Sequence, residues 1–117
     1  MRIEQANLLD DKGWYAGPWD YNLPISVGFA NKGIDQPHVH SQITEIYLVA
    51  HGTAEIRVEQ QTITLSAGDM IVVDAGEAHT FLTSSPDYYH FVIHTPGLTG
   101  EKAHTEKSSV PRSRLGM

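Results

Sequence analysis

Residues 33–52 decide the fold and read GIDQPHVHSQITEIYLVAHG. Because residues two apart on an extended strand project to the same face, His38 and His40 present both imidazoles on one side. Glu45 opens a second strand after a four-residue segment that suits a tight hairpin. Opposed side chains on neighbouring strands lie roughly 4.5–5.5 Å apart, so we expect the two imidazoles and the carboxylate to converge. Two histidines and one carboxylate are the ligand set of a facial metal triad.

The residues on both sides of this stretch continue the strand pattern. Ile25, Val27 and Phe29 are apolar and the residues between them are small, which is the period of a half-buried strand. Similar runs recur at intervals too short for the crossovers of a parallel sheet. The sequence therefore predicts an all-β fold, an antiparallel barrel or jelly roll. The eight predicted strands cover about residues 25–29, 37–40, 45–50, 54–59, 62–66, 70–74, 79–84 and 88–94.

A chain of 117 residues suits one domain. Residues 23–99 are assigned to the barrel and residues 1–22 to an N-terminal arm with an aromatic anchor. The anchor needs burial, either against the outside of the barrel, which is favoured, or against a partner subunit. Residues 100–117 contain almost no large apolar side chains, so a mobile or loosely draped polar tail is expected. The aromatic residues of the arm are Trp14, Tyr15, Trp19 and Tyr21.

The composition argues against several classes of protein. Eight Lys and Arg against fourteen Asp and Glu give a net charge of −6, the wrong sign for docking on nucleic acid or anionic lipid. The absence of cysteine excludes disulfide frameworks, zinc–thiolate sites and cysteine nucleophiles. Neither a signal peptide nor a membrane helix is expected from the apolar runs, and the cytoplasm is the expected location.

A further histidine, His79, lies far along the chain at a predicted turn-to-strand boundary and can supply a fourth ligand. The motifs that contain these residues are Gly33-x4-His38-x-His40-x4-Glu45-x6-Gly52 and Gly68-x5-Asp74-x-Gly76-x2-His79-x3-Thr83.

These two motifs resemble the paired motifs of the cupin superfamily, of the small, single-domain cupin-2 type. The resemblance covers about residues 25–95 and implies a double-stranded β-helix, a form of jelly roll. It carries the role of metal ligand onto His38, His40, Glu45 and His79, and it implies a homodimer. The sequence departs from the usual pattern at three places. The gap from Gly33 to His38 is one residue shorter, Asp74 replaces the usual proline, and Thr83 replaces the usual asparagine.

Three imidazoles and a carboxylate suit several divalent ions. Fe(II) or Mn(II) is favoured, with Ni(II), Cu(II) and Zn(II) as alternatives.

Strand parity also predicts a substrate pocket. Tyr47 and Val49 share the face of the carboxylate ligand, and Phe81 and Thr83 share the face of the fourth ligand. Arg57 is expected to turn outward because its apolar neighbours turn inward, which leaves the pocket aromatic and without Lys or Arg. The substrate is then expected to be neutral or singly anionic, and Tyr47 is a candidate catalytic residue.

The last predicted strand can face either way. His90 and His94 share one face, and Phe91 and Ile93 share the other. Hydrophobicity favours Phe91 and Ile93 inside the barrel. The alternative places His90 near the metal, where it is a candidate catalytic acid–base group.

Three functions remain open at this point. An intact ligand set favours a metal-dependent enzyme of the oxygenase type, since a barrel closed by its own core does not need a structural ion. A non-catalytic module that binds or senses a small molecule is the first alternative. A sugar isomerase or epimerase is the second, and the expected lack of cationic groups in the pocket counts against it.

Overall fold

The computed structural model describes residues 1–7 and 9–117, and for Tyr21 the backbone only. None of the helices in this described part is long and apolar enough to cross a membrane. The strands are β1 (Lys12–Ala16), β2 (Ser26–Ala30), β3 (His38–His40), β4 (Thr44–His51), β5 (Thr53–Val58), β6 (Gln61–Ser66), β7 (Met70–Val73), β8 (His79–Ser84), β9 (Tyr89–Thr95) and β10 (Lys107–Ser109). The helices are α1 (Pro18–Tyr21), α2 (Gly100–Thr105) and a 3₁₀ turn, Arg112–Leu115.

The strands form two five-stranded antiparallel sheets, in the orders β1-β2-β9-β4-β7 and β10-β3-β8-β5-β6. Strands β2 to β9 correspond one by one to the eight strands predicted from the sequence. The all-β jelly-roll prediction is confirmed. The inner faces of the two sheets enclose the core, in which Ile56 has no exposed surface and Tyr47 and Phe81 are 4% exposed.

The connection between β3 and β4 differs from the predicted hairpin. These strands lie in different sheets, so residues 41–43 cross from one sheet to the other, and Ile43 is buried on the way. In a jelly roll, consecutive strands often change sheets, and inward side chains from the two sheets then meet across the interior. Glu45 therefore approaches the two histidines of β3 from the opposite sheet.

The favoured orientation of β9 was wrong. The strand pairs with β4 so that His94 lies opposite Glu45 and His90 opposite Val49, which places both histidines on the inner face. Phe91 lies on the outer face and is 36% exposed. Hydrophobicity misleads here because the outer face is apolar too, and the Tyr15 ring of the arm packs 6.4 Å from that of Phe91.

The N-terminal arm packs against its own barrel. Strand β1 joins the sheet edge at β2, and the Trp14 ring lies 4.8 Å from the ring of His94. Trp14 and Trp19 stay 48% and 45% exposed. Leu8 and the side chain of Tyr21, also parts of the predicted arm, lie outside the described residues.

Residues 100–117 are folded, in contrast to the mobile tail expected from their polarity. They form α2, β10 and the 3₁₀ turn. Two of their side chains are buried, Leu115 with no exposed surface and Glu106 with 3%. Isolated buried residues at long range leave no periodic pattern in the sequence, so composition alone suggested a tail.

Candidate metal centre

The four predicted metal ligands meet between the two sheets. His38 and His40 come from β3, His79 comes from β8 opposite His38, and Glu45 comes from β4. All four side chains are almost completely buried, with 1–6% of each residue exposed. The Oε1 atom of Glu45 lies 2.9 Å from Nε2 of His79, 3.0 Å from Nε2 of His40 and 3.8 Å from Nε2 of His38.

A tight turn places His79. Gly76 has φ +90°, a conformation that L side chains rarely adopt, and its amide donates a hydrogen bond of 2.7 Å to the carbonyl of His40. The turn that precedes β8 is thus tied to β3, the strand that carries the other two histidines.

The protonation of two of the rings follows from their hydrogen bonds. Nδ1 of His38 lies 2.8 Å from the carbonyl oxygen of Gln36, and Nδ1 of His79 lies 3.1 Å from that of Glu77. A carbonyl oxygen only accepts, so Nδ1 carries a proton, and Nε2 is the atom of each ring that is left to bind an ion. Among the residues that the structure describes, neither Nε2 atom nor Oε1 of Glu45 has a hydrogen-bond partner, and all three atoms are buried. Acceptors that face one another in this way call for a cation between them.

A metal ion fits this arrangement. Neighbouring ligand atoms at a right angle around an ion, with bonds of about 2.0–2.2 Å, lie about 3 Å apart. The separations of 2.9 and 3.0 Å from Oε1 agree with that geometry, whereas Nε2 of His38, at 3.8 Å, subtends a wider angle at such an ion. Two overlapping groups have ligand atoms within 4.8 Å of one another and share Glu45: one adds His38 and His79, and the other adds His40 and His94.

The second carboxylate oxygen of Glu45 has its own partners. The Tyr47 hydroxyl donates to Oε2 at 3.0 Å, and Nε2 of His94 lies 2.9 Å from the same atom. Burial favours a raised pKa for Glu45, but the four histidines around its carboxylate outweigh burial and hold the pKa far below its usual range. His94 was singled out in the sequence only as a member of a face that was expected to turn outward.

Glu106 was not found from the sequence. Its Oε1 atom accepts a hydrogen bond from Nδ1 of His40, and both side chains are buried. Burial favours a lowered pKa for His40, but the carboxylates of Glu45 and Glu106 raise it above its ordinary value. The two partners are 66 residues apart, and one glutamate in a polar segment gives no local signal.

His90 occupies an aromatic environment beside the site. Its ring lies 5.0 Å from that of Tyr47 and 5.5 Å from that of Phe81, and its Nδ1 is hydrogen-bonded to the Tyr88 hydroxyl at 2.7 Å. Burial lowers the pKa of His90 to about 4. Burial, together with the charge of Glu45, raises the pKa of Tyr47.

A cavity of about 690 Å³ opens over these residues. Glu45, Tyr47 and His90 belong to its lining, and so do three exposed lysines, Lys12, Lys32 and Lys107. The expectation of a pocket without cationic groups was therefore wrong. Arg57 does turn outward, but all three lysines lie outside the strands that were predicted to form the site.

The predicted pocket residues separate into three groups. Tyr47 lines the cavity, whereas Val49 and Phe81 belong to the core. Thr83 lies on the exposed face, where its hydroxyl donates to Glu55 at 3.2 Å. Thr83 turns outward because of a β-bulge. Glu55 pairs with Thr83, but the next residue, Ile56, pairs with Phe81, so Phe81 and Thr83 no longer share a face.

Fold and site together define a double-stranded β-barrel with a buried cluster of histidines and a carboxylate at its centre. The family model of the cupin domain matches residues 26–94, and the chain belongs to the cupin family. No curated protein matches the sequence.

Solved structures share the fold at low sequence identity. KdgF from Halomonas sp. is 22% identical with a TM-score of 0.63, and the match covers 74% of this chain and 80% of that one. Pac13, a nucleoside dehydratase whose complexes with uridine come from Streptomyces, is 14% identical with a TM-score of 0.64, covering 92% of both chains. A cupin-2 protein from Shewanella frigidimarina is 24% identical with a TM-score of 0.52, covering 62% of this chain and 71% of that one.

Proposed function

We propose that this cupin is a metal-dependent enzyme that acts on a small organic anion, with oxygenation as the favoured reaction. The observation that carries the proposal is the set of bare Nε2 atoms of His38 and His79 facing Oε1 of Glu45 below an open cavity. The barrel has its own apolar core. An ion at this place is thus better explained by chemistry on a ligand than by folding.

The ion would be held by His38, His40, Glu45 and His79, and when bound it would act as a Lewis acid on an oxygen of the substrate. Fe(II) and Mn(II) remain the favoured metals, because imidazole and carboxylate ligands suit both.

The charges around the cavity favour an anion. Lys12, Lys32 and Lys107 line it, and of these Lys32 also lies 3.6 Å from a carboxylate oxygen of Asp11. The two carboxylates of the described lining, Glu45 and Glu106, are already paired with histidines. With a divalent ion bound, the described lining would carry four formal positive charges against two negative ones when Lys32 is counted with Asp11 as a neutral pair. An anionic group that loses water on entering therefore meets compensating charge, whereas a cation would not. Of the two substrates expected from the sequence, neutral or singly anionic, these charges favour the anion.

The remaining cavity residues can position the substrate and move a proton. Trp14 and Trp19 line the cavity and can pack against the organic part of the substrate. The Tyr47 hydroxyl stays protonated because its pKa is raised, and it orients Glu45. His90 is neutral at physiological pH because burial lowers its pKa to about 4, so its imidazole is a weak base that takes a proton only from a strongly acidic group.

An isomerase or epimerase is the second candidate, and the three lysines favour it, since they remove the argument that counted against it. Proton transfer in such a reaction needs acid–base groups rather than oxygen, and His90 lines the cavity. The likeness to Pac13, a nucleoside dehydratase, concerns the fold alone and does not choose a reaction.

Oxygen uptake and proton exchange separate these candidates. Protein without a histidine tag is stripped of metal, loaded with Fe(II) or Mn(II), and offered a catechol, a β-diketone and a hydroxy acid, each bearing a carboxylate. Oxygen consumption supports the oxygenase. Exchange of a substrate C–H with D₂O without oxygen, followed by NMR, supports the isomerase.

Controls for this experiment come from the same chain. The double variant His38→Ala/His40→Ala should lose either activity, and His51→Ala, an exposed histidine on β4, should keep it. Tight ligand binding without either reaction would favour a sensor. Failure of Fe(II), Mn(II) and Zn(II) to bind the wild-type protein would contradict the metal site.

We also propose a homodimer through the outer face of the sheet that contains β4, β7 and β9. Leu48, Met70, Val72 and Phe91 are 36–59% exposed there. In a two-fold dimer the same patch of both subunits forms the interface. An uncharged patch can therefore pack against its copy without bringing like charges together. The arm, the interface first suggested by its aromatic residues, lies on its own barrel instead.

A further inference from the structure

Residues 106–115, here called the C-terminal strap, lie against the strand that carries two of the proposed ligands. Strand β10 pairs antiparallel with β3, so that Lys107 lies opposite His40 and Ser109 opposite His38. Backbone hydrogen bonds extend the pairing at both ends: the amide of Ser41 donates to the carbonyl of Glu106 at 2.8 Å, and that of Val110 donates to Pro37 at 3.1 Å.

The far end of the strap reaches the turn that carries the third histidine. Arg114 donates to a carboxylate oxygen of Glu59 at 3.0 Å and to the carbonyl of Gly76 at 3.3 Å. Glu59 in turn exchanges backbone and side-chain hydrogen bonds with Ala78, the residue before His79. Leu115 is completely buried, which anchors this end in the core.

The carboxylate of Glu106 connects the strap to the site itself. One of its oxygens accepts from Nδ1 of His40, and the other accepts from the amide of Gln42 at 3.4 Å. The hydrogen bond keeps a proton of His40 on Nδ1, so that Nε2, which lies 3.0 Å from Oε1 of Glu45, is the ring atom turned to the centre where the other ligands meet. Such an outer carboxylate orients the ring of a metal-binding histidine and raises its basicity.

We propose that Glu106 is a positioning residue of the metal site, and that metal binding and docking of the C-terminal strap stabilise each other. The inference rests on the proposed metal function. Release of the strap would remove the partner of His40 and uncover β3. A metal ion that prefers the oriented ring must therefore prefer the docked strap, and the coupling is reciprocal.

Metal affinity of matched variants tests the role of Glu106. Glu106→Ala removes the acceptor, Glu106→Gln keeps an acceptor without charge, and Glu101→Ala changes an exposed glutamate on α2. With Mn(II) as the probe in isothermal titration calorimetry, we expect Glu106→Ala to lose about 10–100-fold in affinity. Glu106→Gln should lose less, and Glu101→Ala should match the wild type.

Hydrogen exchange of the wild-type protein tests the coupling without any variant, and it applies even if Glu106→Ala does not fold. Mn(II) broadens NMR signals, so exchange is followed by mass spectrometry of peptides. The amide of Val110 should exchange at least about 10-fold more slowly with Mn(II) present. The amide of Asn31, which donates to Asp11 in the arm at 2.8 Å, should not change by the same factor.

The two proposals fail in different ways. If the wild-type protein binds neither Mn(II), Fe(II) nor Zn(II), the proposed metal function is overturned and this inference with it. If the wild type binds Mn(II) and Glu106→Ala binds it equally well, only the role of Glu106 is overturned. Unchanged exchange at Val110 on metal binding would overturn the coupling.

Discussion

The buried imidazole of His90 should make the metal-free protein lose stability in acid. His90 is 3% exposed, and its burial lowers its pKa from 6.5 to about 4. The folded state therefore holds the ring neutral, whereas the unfolded chain binds a proton near pH 6.5. His90 does not affect the stability above pH 6.5. The stability falls as the pH drops from 6.5 towards 4, and the loss is complete below pH 4.

The size of this loss follows from the shift. Each pKa unit corresponds to about 1.36 kcal/mol, so the change from 6.5 to about 4 amounts to about 3 kcal/mol. A loss of this size is a large part of the stability of an ordinary domain, about 5–15 kcal/mol.

Urea unfolding measures this loss of stability in the wild type and in His90→Phe, at neutral pH and near pH 4. A chelator is present throughout, because release of bound metal in acid would also lower the stability. His90→Phe leaves the Tyr88 hydroxyl without its partner, but that cost is the same at both pH values. The wild type should therefore lose about 3 kcal/mol more than the variant between the two conditions. Equal losses would refute the assignment of a depressed pKa to His90.

His79→Ala should weaken Mn(II) binding by more than the roughly 10–100-fold typical of outer partners, whereas His51→Ala should leave the calorimetric titration unchanged. Gly33→Ala should lower the free energy of unfolding by about 1–3 kcal/mol, because an added Cβ would stand 1.9 Å from Cγ of Phe81; an unchanged urea midpoint would contradict this. Trp14→Ala should weaken binding of an aromatic carboxylate and leave metal affinity intact, and an equal loss of both would mean that Trp14 acts through His94. Val72→Lys should give the monomer mass in light scattering where the wild type gives the dimer, and a monomeric wild type would remove the homodimer.

Part of the site was predictable because its signals are local. Two histidines separated by one residue share a face in any strand, and the spacing around Glu45 and His79 is typical of one family. The structure brings these four residues together, although through opposite sheets rather than a hairpin. Turn glycines such as Gly76 are equally local, since a positive φ depends on the residue itself.

The sequence by itself determined the eight central strands, their antiparallel pairing and four members of the cluster, namely His38, His40, Glu45 and His79, because alternation and motif spacing reflect neighbours a few residues apart. Only the tertiary structure decided that His94 and Glu106 join the cluster, that lysines line the cavity, and that Thr83 turns outward. Each of these outcomes depends on a contact between distant segments. His94 lies on a strand with two apolar faces, Thr83 follows a bulge set by the partner strand, and Glu106 lies in a polar segment that docks by backbone pairing. Local periodicity carries no information about such contacts, since their free energy arises only once the sheets are assembled.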